Sequence, residues 1–565
     1  MKFNEMTYQR PDFDLVYTQM KELLAKMETA ETEEIFFKTY DDLEDLSIHL
    51  ETMGTLSYIR HTINTKDEFY MAEQDIFDEE TPRFQEINAE TARIALNSKY
   101  RGRIEEKFGK HLLEKFEVEL KTFSPEIVPD LVEENKLSSE YQKLTASAEI
   151  MFEGEIRNLS GLIPFMESKD RDMRKRANDA SWNWFAENGE KLDSLYDELV
   201  KIRHRIGQKL GYDNFIPVAY ARMGRTDWTQ ADAKVYRQQI IESVVPLTQR
   251  LYQKQSERIG ISDMKNYDYT LKFLTGNPTP KGDEAYMVEA ASRMYKELSP
   301  ETDEFFTLMK EQELMDLTTK KGKANGGYCT SIPEFRVPFI FSNFNGTSGD
   351  VDVLTHEAGH AFQDYLQRNV RPRALTSITS EVAEIHSMSM EFFTHPWMDQ
   401  FFKDDTEKYY YAHVTDSLEF LPYGASIDAF QEWVYENPTA TAAQRNAKYR
   451  EIEKIFLPHL DYDGNKYLEA GGRWQKQLHV YLLPFYYLDY TLSQVCAQQY
   501  LTWSRKDKAA AWKSYLNLCR NSGRKPFKQL VPESGLLSPF DEGTIAKITP
   551  ELEAYLEGLD YSKIR

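Results

Sequence analysis

The sequence has few cysteines and lacks long apolar runs. Its three cysteines, Cys329, Cys496 and Cys519, form neither a disulfide framework nor a paired-cysteine metal motif, which fits a reducing compartment. No apolar segment follows the charges at the N-terminus, as a signal peptide requires, and no apolar run approaches the roughly 18 residues of a membrane span. We therefore expect a soluble, cytoplasmic protein with no membrane partner.

Positive charge is also scarce. The chain has 69 lysines and arginines against 92 aspartates and glutamates, which gives a formal net charge of −23. A surface of this sign repels phosphate backbones and anionic lipids, so the composition argues against nucleic acid as a partner. Most of this charge is expected to keep the protein soluble, and nothing in the sequence predicts a particular oligomeric state.

Helical periodicity accounts for most of the chain. Apolar residues that recur every four positions lie on one helix face, as in the series Ile104, Phe108, Leu112, Phe116 and Leu120. The exception is residues 326–350, which are rich in β-branched and aromatic residues and show no helical period. There we expect a small β-structure around Phe335–Phe344, with Pro338 on an edge strand. The predicted fold is mainly α, a large helical body with a small β-sheet.

The stretch DVLTHEAGHAFQDY at Asp352–Tyr365 contains two histidines four residues apart. On a helix, His356 and His360 lie on one face about one turn apart, so both imidazoles can bind one zinc ion. Glu357 is rotated by about 100° from His356, which places its carboxylate beside the metal as a base for zinc-bound water. We interpret the motif as a zinc site rather than as the charged face of an ordinary helix.

A catalytic zinc usually has three protein ligands and a water, so a third ligand must come from another element. The next predicted helix, within Thr376–Phe393, offers Glu381, Glu384 and His386. Spacing alone does not choose among these three residues, and an ordinary surface charge is the alternative for each acid. The edge strand before the motif helix either adds a peptide as a further strand or simply covers the helix.

The pattern HEAGH followed by SEVAEIHSMSME resembles the thimet-oligopeptidase superfamily of zinc peptidases, in its oligoendopeptidase F branch, which includes the Pz-peptidases. The resemblance is strong over residues 326–500. It implies that Glu384 is the third ligand of one zinc ion, that Glu391 supports the site, and that Glu381 is a neighbouring acid. It also implies a deep central channel that admits short unstructured peptides and excludes folded proteins.

A later segment, HVYLLPFYYLDYTLSQ at His479–Gln494, resembles the part of the family in which a histidine and two tyrosines face the zinc. The matching residues are His479, Tyr487 and Tyr490. Their hydrogen-bond donors would stabilise the oxyanion that forms during hydrolysis. Of the neighbouring tyrosines, Tyr486 is assigned to the core.

The resemblance implies a zinc-dependent endopeptidase that hydrolyses internal bonds of short unstructured oligopeptides, with proline- and glycine-containing collagen-like peptides as one candidate class. We expect an N-terminal helical lobe over residues 1–200 and a catalytic helical lobe over residues 201–565, with interleaving left open. Two alternatives are a peptide-binding protein with a non-catalytic zinc and a non-proteolytic zinc hydrolase. Glu357 argues against the first, because a binding module needs no base beside the metal.

Overall fold

α-Helices form most of the fold in the computed structural model, which describes residues 1–324 and 326–564 apart from the side chain of Pro82. The helices of the first half are α1 (Phe13–Glu28), α2 (Glu33–Ile63), α3 (Glu68–Asn97), α4 (Arg101–Phe108), α5 (Lys110–Thr122), α6 (Val128–Ala146), α7 (Ile163–Met166), α8 (Arg171–Glu187), α9 (Gly189–Lys209), α10 (Ile216–Arg222), α11 (Gln230–Gln239) and α12 (Val245–Ile259). Those of the second half are α13 (Glu284–Leu298), α14 (Pro300–Glu311), α15 (Gly349–Gln367), α16 (Ser380–Phe393), α17 (Asp399–Phe402), α18 (Thr406–Glu436), α19 (Ala442–Phe456), α20 (Lys466–Glu469), α21 (Leu478–Leu482), α22 (Tyr486–Lys506), α23 (Lys508–Asn521), α24 (Phe527–Glu533) and α25 (Thr544–Glu557). Among the described residues, no helix is long and apolar enough to cross a membrane.

The β-structure is small and confirms the mainly α prediction. The strands are β1 (Ile150–Phe152), β2 (Glu155–Arg157), β3 (Met315–Thr318), β4 (Tyr328–Ile332) and β5 (Val337–Phe344). β1 and β2 form an antiparallel pair, and the other three form a sheet in the order β3-β5-β4. β5 runs parallel to β3 and antiparallel to β4, and it leads through a turn into α15, the motif helix.

Pro338 does not lie on an edge strand, contrary to the prediction. It belongs to β5, the central strand, where it pairs with Ser331 of β4. β3 pairs with β5 only from Ile340 onwards, so at Pro338 one side of β5 has no partner in the ladder. A missing N–H is tolerated at such a place because no ladder hydrogen bond is lost. The edge strand next to the motif helix is therefore β4.

The N-terminal segment packs directly on this sheet. The ring centroid of Phe3 lies 4.5 Å from that of Phe339, and the Phe3 amide donates to the carbonyl of Gln312 at 2.8 Å. On α2, the Tyr58 ring lies 5.1 Å from that of Tyr328 on β4. These contacts connect the two predicted lobes around the sheet, while the boundary at residue 200 stays a prediction.

α15 and α16 cross at the glycine of the HEAGH motif. A Cβ atom on Gly359 would lie 2.6 Å from the Cα of Ser387 and 2.7 Å from the carbonyl oxygen of His386. Both distances are shorter than van der Waals contact, so any side chain at this position would push the two helices apart. The absence of a side chain at Gly359 thus lets the helices approach closely where they bring polar residues together.

Gly359→Ala should destabilise the protein, because the added methyl group overlaps the backbone of α16. We expect the free energy of unfolding to fall by about 1–3 kcal/mol, as in other overpacked cores. Gly102→Ala on α4 is the matched control, since a Cβ there meets nothing within 4 Å; it should be neutral or stabilise by up to about 1 kcal/mol. Chemical denaturation of both variants tests this, and equal effects would contradict it.

Candidate metal centre

Two helices bring together three side chains that could hold a metal ion. His356 and His360 come from α15 and Glu384 from α16, and one ligand atom from each lies within 4.8 Å of the others. The Glu384 Oε2 atom is 3.2 Å from His356 Nε2 and 3.5 Å from His360 Nε2. Two imidazole nitrogens and one carboxylate oxygen form a donor set that suits zinc and leaves a position for water. The donor set therefore fits the predicted ion.

The electrostatics of the group also suit a cation. Burial would raise the pKa of Glu384, but His360 and His356 hold that pKa well below its ordinary value. The hydroxyl of Ser387 donates to Glu384 Oε2 at 2.8 Å, which fixes the carboxylate. The side chains of His356 and His360 are 24% and 21% exposed, so solvent reaches the site.

The two competing third ligands point elsewhere. His386 is fully buried, its Nε2 atom lies 2.7 Å from the hydroxyl of Ser522, and burial lowers its pKa to about 3. Glu381 is also buried and accepts a hydrogen bond from the indole of Trp228 at 3.0 Å. Both side chains therefore have structural partners, and Glu384 is the acid of α16 that faces the two histidines.

A second layer of hydrogen bonds orients His356. Glu391 Oε1 lies 2.6 Å from His356 Nδ1 and accepts a hydrogen bond from its N–H, which leaves the lone pair of Nε2 to face a metal. The other oxygen of Glu391 accepts from His413 Nε2 at 2.7 Å, and His413 Nδ1 is 2.8 Å from His395 Nε2. His413 and His395 were not predicted, because they lie outside the motifs and are connected to Glu391 only in the folded chain.

Glu357 lies beside the ligands on the side of the edge strand. A Cβ on Gly327, directly before β4, would be 3.8 Å from Glu357 Oε1. Burial raises the pKa of Glu357, although the nearby His356 and His360 oppose the shift. A half-buried carboxylate with a raised pKa that is not drawn into the ligand group is a suitable general base.

His479 is held in one tautomer by its neighbours. The hydroxyl of Tyr423 donates to Gln477 Oε1 at 3.1 Å, which directs the Gln477 amide nitrogen to His479 Nδ1 at 3.0 Å. Because Nδ1 accepts this bond, the proton of the neutral ring is on Nε2. Burial lowers the pKa of His479 and so favours the neutral ring. Gln477 and Tyr423 were not predicted, since nothing in their spacing marks them.

Three tyrosines at the start of α22 surround His479: its ring centroid lies 5.1 Å from that of Tyr486, 5.5 Å from that of Tyr487 and 5.9 Å from that of Tyr490. The Tyr486 hydroxyl lies 3.4 Å from Glu384 Oε1, so this half-buried residue is at the site and its assignment to the core was wrong. Burial, with Glu384 nearby, raises the pKa of Tyr490 to about 12. The Tyr487 ring also packs away from Glu384, at 5.4 Å from that of Phe420 and 5.6 Å from that of Tyr423.

Comparison with protein families gives two matches. Residues 3–123 match the peptidase M3 N-terminal domain, and residues 164–530 match peptidase family M3. The second match covers more than half of the chain and includes all the site residues described above.

Individual relatives agree with these matches. The chain is 23% identical to oligopeptidase PepF of Bacillus subtilis (strain 168) over 357 residues, which cover 60% of this chain and 51% of that protein. It is 26% identical to the plasmid oligoendopeptidase F of Lactococcus lactis subsp. cremoris over 340 residues, 58% and 53% of the two chains. The chain thus spans about half the length of the curated relatives it matches.

Solved structures match over the whole chain. Pz peptidase A, solved with an inhibitor, is 50% identical with a TM-score of 0.94 and covers 99% of this chain and 100% of that one. A candidate oligoendopeptidase F from Bacillus anthracis str. Ames is 46% identical with a TM-score of 0.90, over 100% and 99% of the two chains.

Glu391→Gln should weaken metal binding about 10- to 100-fold, because the amide no longer provides the charged acceptor that orients His356. Competition with a chelator of known affinity measures the change. Glu190→Gln, an exposed acid on α9, is the control and should leave metal affinity unchanged. Equal metal affinity in the Glu391 variant and the wild type would contradict the orienting role.

Proposed function

The chain belongs to peptidase family M3, in its oligoendopeptidase F branch, and we propose that it is a zinc-dependent peptidase that cleaves internal bonds of short unstructured peptides. The observation that carries this proposal is the free carboxylate of Glu357 beside the His356, His360 and Glu384 group. A structural metal site needs no base at that position, whereas a peptidase does.

The protein's own residues have separate roles in the proposed reaction. His356, His360 and Glu384 would hold one zinc ion, which when bound would polarise the scissile carbonyl and acidify a water. Glu357 takes a proton from the attacking water and delivers it to the leaving amine. Glu391 keeps His356 in the orientation that binding requires.

Two further residues near Glu384 could stabilise the oxyanion. His479 offers its Nε2–H, because Gln477 occupies Nδ1, and the Tyr490 hydroxyl is the second donor. Support for Tyr487 in this role is weaker, since its ring packs on Phe420 and Tyr423. We propose that substrates align along the edge strand β4, rather than along Phe335–Phe344 as the sequence suggested, because β5 is the central strand.

We also propose that the protein works in the cytoplasm and that collagen-like peptides are among its substrates. Cys496 and Cys519 are buried free thiols, and Cys329 is unpaired, as in proteins of a reducing cytoplasm. Proline- and glycine-containing collagen-like peptides belong in the first panel of substrates. A peptide-binding protein with a non-catalytic zinc would bind members of this panel without cleaving them.

Glu357→Gln should lower kcat by about 100- to 10,000-fold, because the amide cannot accept the proton of the attacking water. Quenched-fluorescent peptides of graded length measure turnover, and metal analysis confirms that the variant keeps its ion. The exposed acid Glu542 gives a control, Glu542→Gln, with wild-type turnover. Substantial turnover by a metal-loaded Glu357 variant would refute this assignment.

Tyr490→Phe should lower kcat about 100-fold, because it removes one oxyanion donor while leaving the ring in place. Tyr487→Phe should change kcat much less, since the Tyr487 ring packs against other aromatic residues. Steady-state kinetics on one peptide, with metal content measured in parallel, compares the two variants. Equal losses in both would show that the two hydroxyls act together.

A further inference from the structure

Lys476 is an exposed lysine with the surroundings of an interior residue. Its ammonium nitrogen lies 5.6 Å from the ring centroid of Trp182 and 5.9 Å from that of Tyr423. Burial, with the adjacent Arg473 guanidinium, lowers the pKa of Lys476 to about 7. A side chain that solvent reaches, and that the protein nevertheless desolvates, lies in a recess rather than on the open surface. We name this feature the Lys476 recess, formed by Lys476, Trp182 and Tyr423.

The ammonium group of Lys476 has no anionic partner. Within residues 1–324 and 326–564, it forms neither a hydrogen bond nor an ion pair. Among the acidic residues, Glu453 acts electrostatically on Lys476 and raises its pKa. The Glu453 carboxylate, however, forms an ion pair with Arg450 at 2.9 Å, accepts a hydrogen bond from Tyr462 and lies 3.8 Å from Arg473. Glu453 therefore already has other partners, and the Lys476 ammonium is left with the faces of the Trp182 and Tyr423 rings but with no ion pair in the described part of the chain.

The recess adjoins the site. Tyr423, which forms one of its walls, donates to Gln477, and Gln477 donates to His479. The Cα atoms of Lys476 and His479 are three residues apart, hence at most about 11 Å from each other. An extended peptide covers that distance in about three residues. A substrate held at the metal centre can therefore place one of its groups beside Lys476.

We propose that Lys476 binds a carboxylate of the peptide substrate, either the C-terminal carboxylate or an acidic side chain about three residues from the scissile bond. The inference rests on the proposed peptidase function and adds a substrate class to it. A carboxylate supplies the anion that the recess lacks, and Arg473 adds positive charge behind Lys476. The rings of Trp182 and Tyr423 lie on the sides of the ammonium group and lower the local dielectric constant, which strengthens the attraction.

Matched peptide pairs test this and separate the two sources of the carboxylate. One pair has the same sequence with a free or an amidated C-terminus; the other is amidated and carries Glu or Gln three residues from the cleaved bond. For one of the pairs, wild-type protein should cleave the carboxylate member with about five- to tenfold higher kcat/KM, mainly through KM. Lys476→Gln should bring that ratio to about one, and Lys476→Arg should retain it.

The control and a second readout keep the result unambiguous. Lys234→Gln removes an exposed lysine of α11 that has no ion pair in the described part of the chain, and it should keep the wild-type ratio. Calorimetry with the Glu357→Gln variant measures binding of the same pairs without turnover. If wild-type protein cleaves no peptide, the proposed function fails, yet a carboxylate preference in binding that Lys476→Gln removes still supports the recess. Equal ratios for wild type and Lys476→Gln in both pairs would overturn it.

Discussion

The close crossing of α15 and α16 is the constraint on which the metal centre depends. The three donor atoms that lie within 4.8 Å of one another come from two helices, and a side chain at the crossing would hold those helices too far apart. Gly359, which directly precedes His360, has no side chain, so the backbone of α16 can pack closely against α15 at this position. The glycine of HEAGH thus acts through packing, whereas its neighbours act through their chemistry.

The identity of a hydrogen-bond partner sets the role of each histidine. The Glu391 carboxylate can only accept, so His356 donates its Nδ1–H to it, and the lone pair of Nε2 is left for a metal. The Gln477 amide nitrogen can only donate, so it occupies the lone pair of His479 Nδ1 and leaves the proton on Nε2. One imidazole is thereby prepared as a ligand and the other as a donor, although both are the same residue type.

The parts of the fold and of the candidate site that follow from local periodicity could be predicted from the sequence. The spacing of His356 and His360 on one helix required no tertiary information, and the long apolar stripes predicted a mainly α fold. Choosing Glu384 over His386 needed the family resemblance, because their spacing on the helix is equally plausible. His413, Gln477 and the role of Tyr486 were missed, since contacts between separate elements exist only after packing. Pro338 was misplaced because its tolerance depends on where β3 stops pairing.

The unpaired charge of Lys476 becomes understandable when the free protein and its complex are considered together. The chain has 92 acidic residues, yet in the described structure none neutralises this lysine. The lowered pKa of Lys476 shows that its charged form is disfavoured in the free protein, and a bound carboxylate favours that form again. Binding free energy gained away from the scissile bond can hold a flexible peptide in the geometry that Glu357 needs. An unsatisfied group at the edge of the site thus favours substrates that bring the missing charge.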